Sequence, residues 1–198
     1  MNTRKHILDA TRQIIQEKGL ARVTTREIAR EAGCAEGTLY KHFETKEDLF
    51  LAVVQENLPD FAATVREERA GTQSVSSILE EVALAAIGYY EKLIPLALSF
   101  FADAQLLARH REWMCEHKAG PQNPCERVAA YVAAEQRLGR INPNLIPLSI
   151  AYLLLGSCFQ YVFNRLFLGS NPLPMTDQQF AAGLVQTLVE GVSSPSIA

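Results

Sequence analysis

The chain has 198 residues and a mass of 22.0 kDa, enough for one sizeable domain or a small module joined to a larger one. Hydrophobic residues at 48% and charged residues at 21% are ordinary for a soluble globular protein, and a net charge of -3 excludes a polycation. The charge is unevenly spread: residues 1–46 hold nine Lys/Arg against six Asp/Glu (+3), and the remainder holds ten against sixteen (-6). A modestly basic head on an acidic body is the distribution a DNA-facing head would show. Cys34, Cys115, Cys125 and Cys158 have no CxxC or metal-finger spacing. The first nineteen residues, "MNTRKHILDATRQIIQEKG", lack the apolar core of a secretory signal. The expectation is a cytoplasmic protein with reduced thiols.

Helical periodicity runs along the chain, with no convincing alternating strand. The first helix is expected to start at Thr3 as cap. Its inner stripe is Ile7, Leu8, Thr11, Ile14 and Ile15, and Gly19 ends it. Thr24 and Glu27 have capping-box spacing and open a second helix, with Ile28, Ala29 and Ala32 inward. Gly33 stops it in a turn that favours a positive φ. A third short helix follows from about Ala35 to Phe43, with Leu39 and Phe43 on its inner face. Thr45, with Asp48 three residues on, caps a fourth helix running towards Arg69, which Pro59 breaks near Asn57–Leu58. Further helices are expected over 75–93, 95–118, 123–139, 144–168 and 176–191. The fold class is all-α, with about nine helices.

The stretch Ile141–Asn164 has no charged residue and is long enough to span a membrane. Asn142, Asn144, Ser149, Ser157, Gln160, Asn164 and two prolines interrupt it. The preferred reading is a helix buried all round, between its own core and a partner subunit.

Two short helices joined by a tight Gly-containing turn make a helix-turn-helix. Neither would persist alone, since isolated helices below about 12–15 residues are marginal in water. A short second helix suits the major groove, which is about 12 Å wide. Glu36, Gly37, Thr38, Lys41 and His42 face outward from it. A generic helical hairpin with a solvated face is the alternative.

The run "VTTREIAREAGCAEGTLYKHFETKEDLF" closely resembles the DNA-binding region of the TetR family of bacterial transcriptional repressors. The matching elements are Thr24-Thr25, Ile28-Ala29, Ala32-Gly33, Gly37-Thr38-Leu39-Tyr40, His42-Phe43, Lys46-Glu47 and Leu49. The resemblance implies a three-helix DNA-binding domain over residues 1–46, and a helical ligand-binding and dimerisation domain over 47–198. It places Thr25, Tyr40, His42 and Lys46 at phosphates, and Arg26, Glu36, Gly37, Thr38 and Lys41 at base edges. Arg26 and Lys41 suit guanine O6/N7, and Glu36 suits cytosine N4. Glu36 as a simple helix-start acid remains open, as does Cys34 as a packing residue. Arg4 and Lys5 add phosphate contacts or merely solvated charge.

The resemblance further implies a homodimer on a near-palindromic double-stranded operator, with half-sites about 34–36 Å apart, and release by a small-molecule effector. For the dimer interface the sequence offers a stripe of Leu148, Tyr152, Leu155, Phe159, Val162 and Leu166, and a second of Phe180, Leu184 and Leu188. For a ligand pocket it offers Tyr89, Phe100, Phe101, Asp103, Trp113, Met114 and Phe159, beside Tyr90, Gln105 and His110. Pro59 is a candidate joint between the two functions.

No cofactor and no metal is expected. Asp103, His110 and His117 recur every seven residues, which is about 10.5 Å of helix rise and too far apart for one ion. No P-loop, GxGxxG, HExxH or GxSxG occurs, so no catalytic residue is expected. The rivals left open are an architectural DNA protein without ligand response and an enzyme using a helical pocket.

Overall fold

The computed structural model describes residues 3–18, 23–57, 64–101, 104–118 and 120–191, and among them every regular element is helical. In chain order these are α1 (Thr3–Lys18), α2 (Thr25–Glu31), α3 (Glu36–His42), α4 (Lys46–Asn57), a 3-10 turn (Glu67–Arg69), α5 (Val75–Phe101), α6 (Ala104–Glu116), α7 (Asn123–Arg137), α8 (Pro147–Leu168) and α9 (Asp177–Glu190). The chain forms two compact units. One comprises residues 1–58 and 92–119, the other 59–91 and 120–198.

The first unit is built on the stripe of α1. Ile7, Leu8, Thr11, Ile14 and Ile15 are all buried, and the Thr11 hydroxyl donates to the Ile7 carbonyl at 2.6 Å. Ile28 of α2, Leu39 of α3 and Leu49 and Val53 of α4 close on that stripe, with Leu106 of α6 beside them. Burying each such side chain contributes about 1.5–3 kcal/mol. That is what holds two seven-residue helices in place.

In the second unit α7 packs along α8, and α9 lies on α8. Tyr131 and Val132 of α7, Leu154, Leu155, Cys158 and Val162 of α8 and Val185 of α9 fill its interior. The Cys158 thiol points at the Ala83 carbonyl of α5 at 3.7 Å, and burial pushes that thiol up to about 12, so it stays protonated. A polar knot fixes the α8–α9 connection. The Tyr161 hydroxyl donates to Asp177 at 3.0 Å, Arg165 pairs with Asp177 at 2.8 Å and with Glu91, and Asn171 donates to the Tyr161 hydroxyl at 3.0 Å. Thr176 and Gln179 form a capping box at the start of α9.

Several expectations need correction. Thr3 is the first residue of α1 rather than its cap. Pro95 does not separate two helices: it lies inside the 27-residue α5, which runs on to Phe101. Proline forfeits one helical hydrogen bond, to the carbonyl of Glu91, and long apolar flanks outweigh that local cost of about 3 kcal/mol. Leu155 and Val162 are 1% and 0% exposed, so they belong to the core against α7 and not to an outer stripe. Each lies three residues beyond Tyr152 or Phe159, about 60° around the helix, so the stripe covers two faces and this edge of it turns inward. Tyr152 and Phe159, on the other edge, are 55% and 41% exposed. Within this chain the uncharged helix thus buries one side and exposes the other, the side on which the expectation placed a partner subunit. Among the described residues no helix is long and apolar enough to cross a membrane. Gly19, Pro59 and Asp103 lie outside the described residues, as does the side chain of Phe100.

Candidate nucleic-acid interface

The interface begins at the cap of α2. The Glu27 N–H donates to the Thr24 hydroxyl at 3.3 Å, and Glu27 accepts from the Thr24 N–H at 3.2 Å. The two residues thus satisfy backbone donors that the first turn leaves orphaned. The Lys18 ammonium, 2.9 Å from Glu27, acts with Thr24 to hold the Glu27 carboxyl at about 2, below its ordinary 4.5. A folded-state value below the unfolded one stabilises fully above 4.5 and is lost as pH falls towards 2. The melting-temperature gap between the wild type and Glu27→Gln is expected to be constant above roughly pH 5, to narrow below it and to close near pH 2. A gap independent of pH would show that the carboxylate charge is not what the cap uses.

The end of α2 is equally specified. The Gly33 N–H donates to the Arg30 carbonyl at 3.2 Å and the Cys34 N–H to the Ala29 carbonyl at 2.9 Å, with Gly33 at φ +67°. This Schellman closure needs the left-handed conformation that glycine adopts without a Cβ penalty. It turns the chain into α3 within four residues. Cys34 packs half-buried against the core of this unit. Leu39 and Phe43 then anchor α3 from beneath.

The opposite face of α3 is polar. Glu36, Gly37, Tyr40, Lys41 and His42 are exposed and Thr38 is half-buried. Arg26 is exposed on α2, so the charged candidates for base edges are all accessible. A Cβ built at Gly37 meets nothing within 4 Å, and its φ is not left-handed. The fold itself does not demand glycine there. Thr25 and Glu36 are brought together: the Thr25 hydroxyl donates to the Glu36 carboxylate at 2.5 Å, and the Tyr40 hydroxyl reaches Thr25 at 3.5 Å. Arg4 places its guanidinium over the Phe43 ring at 5.3 Å, and Lys46 its ammonium over Phe50 at 5.1 Å. Both cations thus sit over the face of an aromatic ring.

Sequence reasoning missed Arg109. From α6 it reaches Asp48 at 3.1 Å, inside the cap of α4, where the Thr45 N–H and hydroxyl donate to Asp48 at 3.0 and 2.6 Å. Burial pushes the Asp48 carboxyl up, but these donors outweigh it and leave it below its ordinary value. No local pattern marks Arg109, which is 61 residues from its partner.

The aromatic candidates fall into separate groups. In the second unit Tyr89 meets Tyr90 edge-on, and Tyr90 meets Phe159 edge-on, each with ring centroids 5.4 Å apart. Phe163 and Phe167 continue this ladder along α8. In the first unit Trp113 packs against the core and stacks on His117 at 4.4 Å, Met114 is half-buried and Phe101 is 72% exposed. Burial lowers the His110 pKa. Among the described residues no three His, Cys, Asp or Glu side chains converge as metal ligands would. Phe180 stacks on Tyr161 at 4.1 Å, and Leu184 and Leu188 are half-buried along α9.

Residues 7–53 match the family model of the bacterial regulatory proteins of the tetR family. The HTH-type transcriptional regulator YvkB of Bacillus subtilis (strain 168) is 22% identical over 97% of this chain and 98% of its own length. Among solved structures, the transcriptional regulator FadR from Bacillus subtilis in complex with stearoyl-CoA is 18% identical. It superposes with a TM-score of 0.70 over 96% of this chain and 99% of that one. The complex of SmeT with triclosan is 20% identical, with a TM-score of 0.71 over 99% and 96% of the two chains. SmeT is the repressor of the Stenotrophomonas maltophilia multidrug efflux pump SmeDEF.

Proposed function

We propose that this chain, which belongs to the TetR family of bacterial transcriptional regulators, is a homodimeric repressor that leaves a near-palindromic operator when a small apolar or aromatic ligand binds. The observation that carries the reading is the outer face of α3, polar and exposed over a helix anchored by Leu39 and Phe43. In this reading residues 1–46 read DNA, and residues 47–198 bind the ligand and form the dimer. Arg26, Glu36, Gly37, Thr38 and Lys41 meet base edges, and Thr25, Tyr40, His42 and Lys46 meet phosphates. The open space around Gly37 leaves room for close approach by a DNA backbone. The exposed Tyr152 and Phe159 of α8, with Leu184 and Leu188 of α9, supply apolar surface for a two-fold interface. An apolar ligand is favoured by the aromatic ladder of α8 and by the stearoyl-CoA and triclosan bound to the two structural relatives. Release then acts by population shift, towards a state whose heads no longer match the half-site spacing.

The test is selection of bound duplexes from a random pool by the full-length protein. A palindromic winner with half-sites about one turn apart supports the reading. No enrichment over random DNA overturns it. On the winner, Arg26→Ala and Lys41→Ala are expected to relax base preference, at about 1–3 kcal/mol each. Lys46→Ala should weaken all sequences alike and flatten the salt dependence by roughly one ion. An equal loss on every sequence for Lys41→Ala would remove Lys41 from the base-reading set.

A further inference from the structure

Glu36 places a carboxylate on a face otherwise suited to phosphates. It is the first residue of α3, it is exposed, and Arg26, Lys41 and His42 are exposed on the same pair of helices. Its carboxylate accepts from the Thr25 hydroxyl at 2.5 Å, eleven residues away on α2. A hydroxyl has a single proton to give. While Thr25 gives it to Glu36, it has none for a phosphate. The Tyr40 hydroxyl donates to the same oxygen at 3.5 Å, so α2 and α3 share one hydrogen-bond chain.

We propose that Glu36 is a charge filter for sequence, tied to Thr25 in the free protein and compensated on DNA only where a base amine, cytosine N4 before adenine N6, stands opposite it. The inference rests on the DNA-reading function proposed above. When Thr25 turns its hydroxyl to a phosphate, the Glu36 carboxylate loses its donor. An ionised carboxylate only accepts hydrogen bonds. Beside a phosphate backbone without an amine in reach it stays unpaired and repelled, whatever the rest of the sequence offers. A cytosine N4 amine in the major groove returns a donor, as an adenine N6 amine can, whereas guanine and thymine edges there offer only acceptors. Glu36 thus discriminates mainly by penalising wrong DNA, which matters because non-specific affinity is supplied almost wholly by phosphate contacts.

The test compares full-length wild type, Glu36→Gln and Thr25→Val on the selected operator and on a random-sequence duplex of equal length. Glu36→Gln is expected to bind the random duplex about five- to tenfold tighter and the operator no tighter, so that the specificity ratio falls by at least about fivefold. Thr25→Val is expected to weaken both duplexes by the same factor and leave the ratio unchanged. If the wild type discriminates and Glu36→Gln shifts both duplexes equally, the filter is overturned while DNA reading stands. A fall in ratio caused equally by Thr25→Val would overturn it too, by assigning the effect to the helix tie. A wild type that binds both duplexes equally removes the DNA-reading function, and the filter with it.

Discussion

Leu39→Ala is expected to abolish operator binding and to destabilise the first unit by about 2–5 kcal/mol. Leu39 is 0% exposed and is the one buried residue within α3. A seven-residue helix has too few hydrogen bonds to offset the cost of its own nucleation, so its position depends on that anchor. Truncation leaves a cavity under α3 in the core it shares with Ile7, Ile28 and Leu49, and α3 carries most of the residues proposed to read bases. Trp113 is the only tryptophan in the chain and packs on this same core, so its emission follows the unfolding of this unit. The expected result is a tryptophan transition at lower denaturant, with much of the helical signal of the second unit retained. Leu39→Met, which keeps volume, should cost less than about 1.5 kcal/mol. A tryptophan transition unmoved by Leu39→Ala would show that α3 is held by other contacts.

The features legible in the sequence were those decided within one turn of chain. Thr24 with Glu27, Thr45 with Asp48, and Gly33 are cap and turn residues whose partners lie three to five positions away, and each behaves as its spacing predicts. The inner stripe of α1 was legible for the same reason, because all five of its residues share one face. The failures have a common cause in tertiary packing. Pro95 is a local helix breaker carried through by the helix around it. Leu155 and Val162 share a stripe with Tyr152 and Phe159, yet the packing of α7 and α9 on α8 divides that stripe into buried and exposed edges. The Thr25–Glu36 bond and the Arg109–Asp48 pair join residues 11 and 61 positions apart, and no periodicity records such distances. In the candidate interface, then, the residue types were readable and their mutual commitments were not.

Glu135 shows the same limit at higher energetic stakes. It sits in α7 at 0% exposure, where a run of small and apolar residues would have been enough to fill the helix face. Its carboxylate accepts from the Tyr131 hydroxyl at 2.7 Å and from the Gly71 N–H at 3.2 Å. Arg140 lies 3.3 Å from its second oxygen, as an ion pair without hydrogen-bond alignment. Arg140 is brought back by the end of α7 itself. The Gly139 N–H donates to the Gln136 carbonyl and the Arg140 N–H to the Glu135 carbonyl, with Gly139 at φ +71°. Burial and the bond to Glu135 keep the Tyr131 phenol protonated. Arg137 pairs with Glu67, and Arg140 also reaches the Gln73 carbonyl, so the segment around the 3-10 turn is fastened to α7 with Glu135 at the centre. Glu135→Ala is therefore expected to destabilise the second unit by about 2–4 kcal/mol: the buried Tyr131 hydroxyl and the Gly71 N–H lose their acceptor, while the partly exposed Arg140 can turn to water. Glu135→Gln keeps an acceptor for Tyr131 and should cost less. Adding Tyr131→Phe to Glu135→Ala should cost less than the sum of the two single changes, because it removes a donor already stranded. Chemical denaturation of the four variants beside the wild type checks this. Additive losses, or a midpoint unmoved by Glu135→Ala, would show that water reaches Tyr131 and Gly71 and that the carboxylate does not hold the segment.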